Sequence, residues 1–164
     1  MLFKSTEAFR KTTDITPQIL KKLNIEGLIL DLDNTLTTHD NPRPAEGVLD
    51  WISLMKKSGI KLMIVSNNHA PRVKPFADML GLEFVSEGKK PLTNGFREAE
   101  RRMGLPRERL AAVGDQIYTD VLGANLAGIK MLYVVPIEHE KTTFFKVKRK
   151  LEKPFLPKKF YNNK

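Results

Sequence analysis

The sequence predicts an α/β fold in which a central, mostly parallel five-stranded sheet is covered by helices on both faces. Short apolar runs of strand length alternate along the chain with segments whose apolar residues recur at helical spacing. The links between these segments are short, and strands joined through helices form right-handed parallel crossovers. The chain has 164 residues, of which 41% are hydrophobic. That is enough for one layered domain and leaves no room for a second.

The five predicted strands are continuous apolar runs, as expected of parallel strands that are buried on both faces. In chain order they cover residues 28–30, 62–65, 84–85, 110–113 and 129–135. The first run ends at Asp31, the second at Ser66 and the fourth at Gly114 and Asp115, while Pro136 stops the fifth. Each of these strands therefore has a clear end, and three of them end on a polar side chain.

The predicted helices follow from apolar residues at positions i, i+3, i+4 and i+7. The clearest stripe is Val48, Trp51, Ile52 and Met55, and Gly59 ends it where a helix-stopping glycine is expected. Further stripes are Val73, Phe76, Ala77 and Leu80; Phe96, Ala99 and Met103; and Val121, Leu122 and Leu126, ended by Gly81, Gly104 and Gly128 respectively. Together with the strands they predict a three-layer, Rossmann-like sandwich. The link of about ten residues after Asp33 is too short to hold a cap domain.

Polar residues that follow the predicted strands are expected to meet at one edge of the sheet, where open parallel sheets bind their ligands. They are Asp31, Asp33, Ser66 and Asp115, and Asp120 follows soon after. A single aspartate at a strand end more often caps a turn than binds a ligand. Several carboxylates at one edge repel one another unless a cation lies between them. Oxygen ligands without His or Cys favour magnesium over zinc.

Basic and hydroxyl groups suited to an anion lie in two further segments. Lys89 and Lys90 precede Pro91, and a lysine beside an acidic cluster can hold phosphoryl oxygens as a point charge. Ser66 is followed by Asn67 and Asn68 at a helix start, where backbone N–H groups favour anions. On its own, a lysine pair is usually a solvated surface feature and a Ser-Asn-Asn segment an ordinary helix entry.

Taken in order, these segments resemble the haloacid dehalogenase superfamily. They are DLDNT at 31–35, the strand-end Ser66, Lys90-Pro91 and GDQIYTD at 114–120, and the resemblance covers residues 28 to about 135. The resemblance implies that Asp31 is the nucleophile that forms an aspartyl-phosphate and that Asp33 is the general acid and then the general base. It further implies that Ser66 and Lys90 hold the phosphoryl group.

The same resemblance implies a Mg²⁺ site and a phosphatase. Asp31, the backbone carbonyl of Asp33, and Asp115 would bind the metal, and Asp120 would support them. Dehalogenases and ion-pumping ATPases of the superfamily lack the second aspartate, whereas its phosphatases have it. Lys90 is preferred over Lys89 because it directly precedes proline, the commoner form in members without a cap.

Within the superfamily, the layout is similar to the capless, subclass III, YqeG-like branch, which includes fungal mitochondrial phosphatidylglycerophosphate phosphatases. The shared features are a short N-terminal helix before DLDNTL, the SNN segment, the GDQ-x-x-TD motif and a basic C-terminal tail. A site without a cap suits phosphates on large or surface-bound substrates. We therefore expect a Mg²⁺-dependent phosphomonoesterase, with phosphatidylglycerophosphate as its expected substrate.

The basic charge of the chain is concentrated at its C-terminal end. Residues 141–164 carry nine Lys or Arg against Glu152 alone, whereas residues 1–140 are nearly neutral. The division predicts a phosphatase domain over 1–140 and a basic, aromatic-rich tail over 141–164. Lysines interleaved with aromatics suit an anionic membrane surface or, less well here, nucleic acid. The plainest alternative is a solvated, partly helical tail that packs a few aromatics on the core.

Composition excludes several other classes of protein. The chain has no cysteine, so thiol enzymes, disulfide miniproteins and zinc fingers are ruled out. Neither a secretory signal nor a run long enough to span a bilayer is present. We expect a cytoplasmic protein able to associate peripherally with the inner face of the membrane. Alternatives to the lipid phosphatase are a phosphatase of a soluble sugar, nucleotide or nucleic-acid-end phosphate, and a non-enzymatic RNA- or ribosome-associated adaptor.

Overall fold

A six-stranded, all-parallel sheet forms the middle layer of the protein, which is seen in a computed structural model describing residues 1–162. The strands are β1 (Glu7–Phe9), β2 (Gly27–Leu30), β3 (Lys61–Val65), β4 (Glu83–Val85), β5 (Leu110–Gly114) and β6 (Lys130–Val134). Their order across the sheet is β1-β6-β5-β2-β3-β4. From β2 the chain adds β3 and β4 toward one edge of the sheet, and it then adds β5 and β6 on the other side of β2. Ligands bind at such a reversal of strand order.

The predicted fold class is confirmed, but the sheet has one strand more than the five predicted. The additional strand β1 pairs with β6, with Glu7 opposite Leu132 and Phe9 opposite Val134. It has only three residues and lacks the continuous apolar run by which the other strands were identified. As an edge strand it is specified by its partner β6 more than by its own sequence.

The described residues form six α-helices: α1 (Pro17–Lys22), α2 (Val48–Lys57), α3 (Ala70–Leu80), α4 (Asn94–Met103), α5 (Leu122–Ala127) and α6 (Thr143–Glu152). The four helices predicted from apolar spacing correspond to α2 to α5, and the expected short N-terminal helix is α1. Left-handed glycines at Gly81, Gly104 and Gly128 end α3, α4 and α5, as the sequence predicts.

The core lies on both faces of the sheet, in the alternation that strands impose. On β2, Leu28 and Leu30 point to the face covered by α1, α2 and α3, whereas Ile29 points to the face covered by α4 and α5. Trp51 of the predicted stripe is buried in the first of these layers, where its indole Nε1 donates to the Ile15 carbonyl at 2.8 Å. Both layers leave the carboxyl ends of the strands free to form a site.

The C-terminal segment contacts the domain along the part of it that the structure describes. Phe155 packs against Phe3 at 4.7 Å between ring centroids, and Tyr161 stacks on Phe9 at 5.6 Å. The predicted packing of a few tail aromatics on the core is therefore found, beside the helix α6. The end of the predicted tail, Asn163 and Lys164, lies outside the described residues. Across residues 1–162, no helix is long and apolar enough to cross a membrane.

Candidate active site

Three predicted site residues lie side by side because three neighbouring strands end next to one another. Asp31 follows β2, Ser66 follows β3 and Asp115 follows β5, and β2 pairs with both β3 and β5. The hydrogen bonding between β2 and β5 extends one residue past β2, since the Asp31 N–H donates to the Val113 carbonyl at 2.9 Å. Ser66 and Asp115 are buried. The sheet therefore fixes these side chains on rigid backbone.

Asp31, Asp115 and Asp120 form an acidic triad in which one carboxylate oxygen from each residue lies within 4.8 Å of the other two. Asp120 belongs to a π-helical turn, Ile117–Val121, that bends it back toward the end of β5. Gly114 makes this approach possible, because a Cβ there would lie 2.4 Å from the Asp120 Cγ. Burial and the neighbouring Asp120 raise the pKa of Asp31 well above its usual value. Burial also raises the pKa of Asp115, to about 6.

Lys90 lies between two members of the triad. Its Nζ donates to Asp31 Oδ1 at 2.9 Å and to Asp120 Oδ1 at 2.7 Å, and these two carboxylates raise the pKa of the lysine although burial opposes the rise. The side-chain amide of Asn67 holds the Lys90 backbone from both sides: Oδ1 accepts from the N–H at 2.7 Å and Nδ2 donates to the carbonyl at 3.0 Å. Lys89 is exposed, so Lys90 is the lysine that enters the site.

Asp33 lines the same pocket but is not a member of the triad. Arg72 of α3 forms an ion pair with Asp33, with Nη2 2.9 Å from Oδ1, and Asn68 Nδ2 donates to Oδ2 at 3.2 Å. The backbone N–H of Asp40 also donates to Oδ1, at 3.3 Å. Groups from three segments therefore hold the Asp33 carboxylate at the wall of the pocket.

Arg149 of α6 forms a buried charge cluster behind the triad. Its Nη2 contacts Asp115 Oδ2 and lies 2.8 Å from Glu140 Oε1, while Nη1 lies 3.1 Å from Glu152 Oε2. Glu152 also accepts from the Ile117 N–H at 3.0 Å, which ties the helix to the turn that carries Asp120. The tail predicted as an appendage therefore supplies a group to the site itself.

Sequence reasoning did not identify Arg149, because the excess of lysines in residues 141–164 gives the whole segment the appearance of a solvated tail. A signal was nevertheless present. Phe145, Lys148, Arg149 and Glu152 have the spacing i, i+3, i+4 and i+7 of one helix face, and Glu152 is the single acid of the segment. In the structure this face of α6 points to the site.

The residues present fit a divalent cation. Within residues 1–162, five buried or partly buried carboxylates lie in this cluster (Asp31, Asp115, Asp120, Glu140 and Glu152), and they face the two cations Lys90 and Arg149. The excess of negative charge in a buried place is what a bound dication offsets. The triad offers only oxygen donors, which magnesium prefers.

The pocket above the triad has a volume of about 350 Å³ and is open to solvent. Its floor includes Asp31, Ser66 and Lys90, and its walls include Asp33, Asn68 and Gln116. Two side chains of α6, Phe145 and Lys148, complete one wall. The loop between Asp33 and α2 adds His39, whose ring lies 5.4 Å from that of Phe145. All four predicted catalytic residues thus line one pocket.

Comparisons with known proteins agree on one family. Residues 38–128 match the haloacid dehalogenase-like hydrolases, a stretch that includes Ser66, Lys90 and Asp115 and begins after Asp33. A Bacillus subtilis protein named as the probable phosphatase YqeG is 39% identical over 154 residues, covering 94% of this chain and 90% of that protein.

Solved structures show the same fold at low sequence identity. A 4-nitrophenylphosphatase of Thermotoga maritima is 16% identical with a TM-score of 0.60, covering 74% of this chain and 89% of that one. A HAD-superfamily subfamily III A hydrolase of Legionella pneumophila, itself assigned only provisionally, is 22% identical with a TM-score of 0.53, covering 71% and 70%. The family match and the curated relative show that this chain belongs to the haloacid dehalogenase-like hydrolases and is a phosphatase of that family.

Proposed function

We propose that the protein is a Mg²⁺-dependent phosphomonoester hydrolase that works through an aspartyl-phosphate on Asp31. The observation that carries this proposal is the contact between Lys90 Nζ and Asp31 Oδ1, at 2.9 Å, on the floor of an open pocket. A carboxylate on rigid backbone, beside a cation that can neutralise phosphoryl oxygens, is the arrangement that phosphoryl transfer to a side chain requires.

In the first step, a carboxylate oxygen of Asp31 attacks phosphorus and the bond from phosphorus to the leaving oxygen breaks. Asp33, in its acid form, gives its proton to that oxygen, so the product leaves as an alcohol. Lys90 and the Ser66 hydroxyl hold the equatorial phosphoryl oxygens, whose charge must be matched in the transition state. Arg72, Asn68 and the Asp40 N–H hold the Asp33 side chain at the pocket wall.

In the second step, water attacks the phosphorus of the aspartyl-phosphate. Asp33, now ionised, accepts a proton from that water, and the bond between phosphorus and the Asp31 oxygen breaks. Inorganic phosphate leaves, and both aspartates return to their starting protonation states. Splitting one difficult displacement into two replaces a single high barrier by two lower ones.

Asp31, Asp115 and Asp120, with the backbone carbonyl of Asp33, would hold the magnesium ion. The fit rests on the oxygen-only triad and on the excess of buried carboxylates over cations described above. When bound, the ion neutralises negative charge on the phosphoryl group and on Asp31. Thr35 supports this arrangement, since its Oγ1 donates to Asp115 Oδ1 at 3.0 Å.

The chemistry is tested by phosphate release from 4-nitrophenyl phosphate with and without Mg²⁺, comparing the wild type with Asp31→Asn. We expect the substitution to abolish turnover because an amide is a poor nucleophile. Acid quenching followed by peptide mass spectrometry should find one phosphoryl group on the peptide that contains Asp31. Turnover by Asp31→Asn, or a phosphoryl group on a different peptide, would show that the assigned nucleophile is wrong.

For the substrate we propose a phosphomonoester on a lipid, with phosphatidylglycerophosphate as the specific candidate, met at the inner face of an anionic membrane. The outer face of α6 supports this proposal, because Phe144, Val147 and Leu151 stand exposed at the spacing of one helix face. Exposed lysines, including Lys146 and Lys150, flank them. An apolar stripe with flanking basic residues suits a helix that lies in a membrane interface.

The lipid proposal is tested by two measurements on the full chain. Phosphate release from phosphatidylglycerophosphate in mixed micelles tests the substrate, and co-sedimentation with phosphatidylglycerol vesicles tests the surface. Replacing Phe144 and Leu151 by Ser should weaken vesicle binding by roughly tenfold or more, through the apolar area lost. Leu49→Ser on α2, where the leucine is 53% exposed, is the matched control and should bind as the wild type does.

The contrary results have different consequences for the proposal. Release from soluble sugar or nucleotide phosphates, but not from the lipid, would assign the enzyme to the soluble class. Salt-dependent binding to RNA without any phosphate release would favour the adaptor hypothesis. Vesicle binding that is equal in the double variant and the wild type would reject the outer face of α6 as the membrane contact.

A further inference from the structure

The inner face of α6 places a lysine in the wall of the active-site pocket. Lys148 lines the pocket together with Phe145 of the same helix, and the loop that carries His39 and Asp40 lines it as well. Its Nζ donates to Gln116 Oε1 at 2.8 Å, and that same oxygen accepts from Thr119 Oγ1 at 2.9 Å. Gln116 directly follows the triad residue Asp115. Lys148 is therefore held beside the site.

Ion pairing distinguishes Lys148 from the other two cations at the site, Lys90 and Arg149. Lys90 contacts two carboxylates, and Arg149 contacts three. Lys148 forms no ion pair with a carboxylate anywhere in residues 1–162, and its hydrogen-bond partner is the neutral side-chain amide of Gln116. A lysine that is partly buried in a pocket wall without a counter-ion favours an anion delivered by a ligand.

The position of Lys148 indicates which part of a substrate it would meet. The phosphoryl group under attack has to lie on the floor, at Asp31, Ser66 and Lys90, so the leaving group extends outward along the walls. A cation in the wall therefore faces the leaving group rather than the phosphoryl group. The ring of Phe145, 5.4 Å from that of His39, borders the same exit and offers an apolar surface to carbon atoms between the two charges.

We propose that Lys148 forms a second anion subsite, which selects phosphomonoesters whose leaving group carries its own negative charge. The proposal rests on the phosphomonoesterase activity proposed above and specifies its substrate class. A phosphodiester or a carboxylate, a few bonds from the scissile phosphate, supplies the required anion. Simple monoesters with an uncharged leaving group bind the floor of the pocket and gain nothing from Lys148.

The test compares three soluble substrates: glycerol 3-phosphate, whose leaving group is uncharged; 3-phosphoglycerate, which adds a carboxylate; and deacylated phosphatidylglycerophosphate, which adds a phosphodiester. The measured quantity is the ratio of kcat/KM for each charged substrate to that for glycerol 3-phosphate. We expect Lys148→Gln to lower this ratio about tenfold, the effect of one charge-assisted hydrogen bond. The substrate with the larger loss identifies the anion as carboxylate or phosphodiester.

Two variants serve as controls. Lys148→Arg retains the charge and should keep most of the discrimination, whereas Lys57→Gln removes an equal charge from the exposed side of α2, which does not line the pocket, and should leave the ratio as in the wild type. A second readout does not need turnover. In an Asp31→Asn background, calorimetric affinity for the charged substrates should fall about tenfold when Lys148→Gln is added.

The outcomes separate this proposal from the one on which it rests. If the wild type releases phosphate neither from these three substrates nor from 4-nitrophenyl phosphate, the proposed function fails and the subsite fails with it. If the wild type hydrolyses 4-nitrophenyl phosphate but none of the three substrates, or if the ratio is the same in Lys148→Gln, or if Lys57→Gln lowers it equally, only the subsite is rejected. Loss of discrimination in Lys148→Gln alone, restored by Lys148→Arg, is the supporting result.

Discussion

Replacing Arg149 by Met should destabilise the protein strongly, because it removes the cation shared by three carboxylates. The side chains of Asp115, Glu140 and Glu152 are at most 3% exposed, and that of Arg149 is 19% exposed. Removing one partner of a buried ion pair typically costs about 3–5 kcal/mol, since the remaining charges stay uncompensated. In a domain of this size, each kcal/mol lowers Tm by roughly 2–4 °C, so a loss of about 10 °C is expected.

The assay is thermal unfolding followed by circular dichroism, first in EDTA and then with Mg²⁺. Without Arg149 the cluster is more negative, so Mg²⁺ should raise the Tm of the variant by more than it raises that of the wild type. Arg101→Met is the control: Arg101 is 71% exposed and, among residues 1–162, forms an ion pair with Glu98 alone, and surface pairs of this kind contribute little. A metal-free Tm within about 2 °C of the wild type would refute the reasoning, because it would mean that the buried carboxylates do not need Arg149.

Four further predictions concern the acidic triad. Gly114→Ala should displace Asp120, which a new Cβ would approach to 2.4 Å, and should weaken Mg²⁺ binding measured by calorimetry. Lys90→Gln should abolish most turnover of 4-nitrophenyl phosphate, because it leaves Asp31 and Asp120 repelling each other without the cation between them. Since burial raises the pKa of Asp115 to about 6, protons compete with the metal there, and Mg²⁺ affinity should fall as the pH is lowered through 6. In the metal-free protein the stability effect has the opposite sign to that of a carboxylate whose pKa is lowered on folding. The free energy of unfolding should fall as the pH rises from about 4 through 6, because the folded Asp115 carboxyl keeps a proton that the unfolded one has lost.

The central strands and the residues at their ends could be predicted from sequence because both depend on local patterns. A buried parallel strand is a continuous apolar run, and the polar residue that follows it lies at the ligand-binding edge by topology alone. This reasoning brings Asp31, Ser66 and Asp115 together without knowledge of any long-range contact. It does not find β1, because a three-residue edge strand has almost no pattern of its own and depends on pairing with β6.

The role of the C-terminal segment could not be predicted because it depends on which of its many charges face inward. Average charge treats Lys146, Lys148 and Arg149 alike, yet one is exposed, one lines the pocket and one contacts Asp115. Only the docking of α6 distinguishes them, and that docking is fixed by tertiary contacts such as the Glu152 bonds to the Ile117–Val121 turn. Similarly, nothing local in the sequence connects Arg72 with Asp33, since they lie on separate elements.

The order of elements along the chain has a consequence for how the protein is made. Synthesis proceeds from the N-terminus, so β1 is produced first although its partner β6 is complete only after Val134. The acidic triad is likewise complete at Asp120, before Arg149 exists to offset its charge. A nascent chain that has reached β6 therefore carries the three carboxylates of the triad beside the one positive charge of Lys90, and a metal ion can supply the counter-charge that is still missing. We expect Mg²⁺ to speed refolding of the full chain, measured by tryptophan fluorescence of Trp51, by stabilising this partly built site before α6 docks.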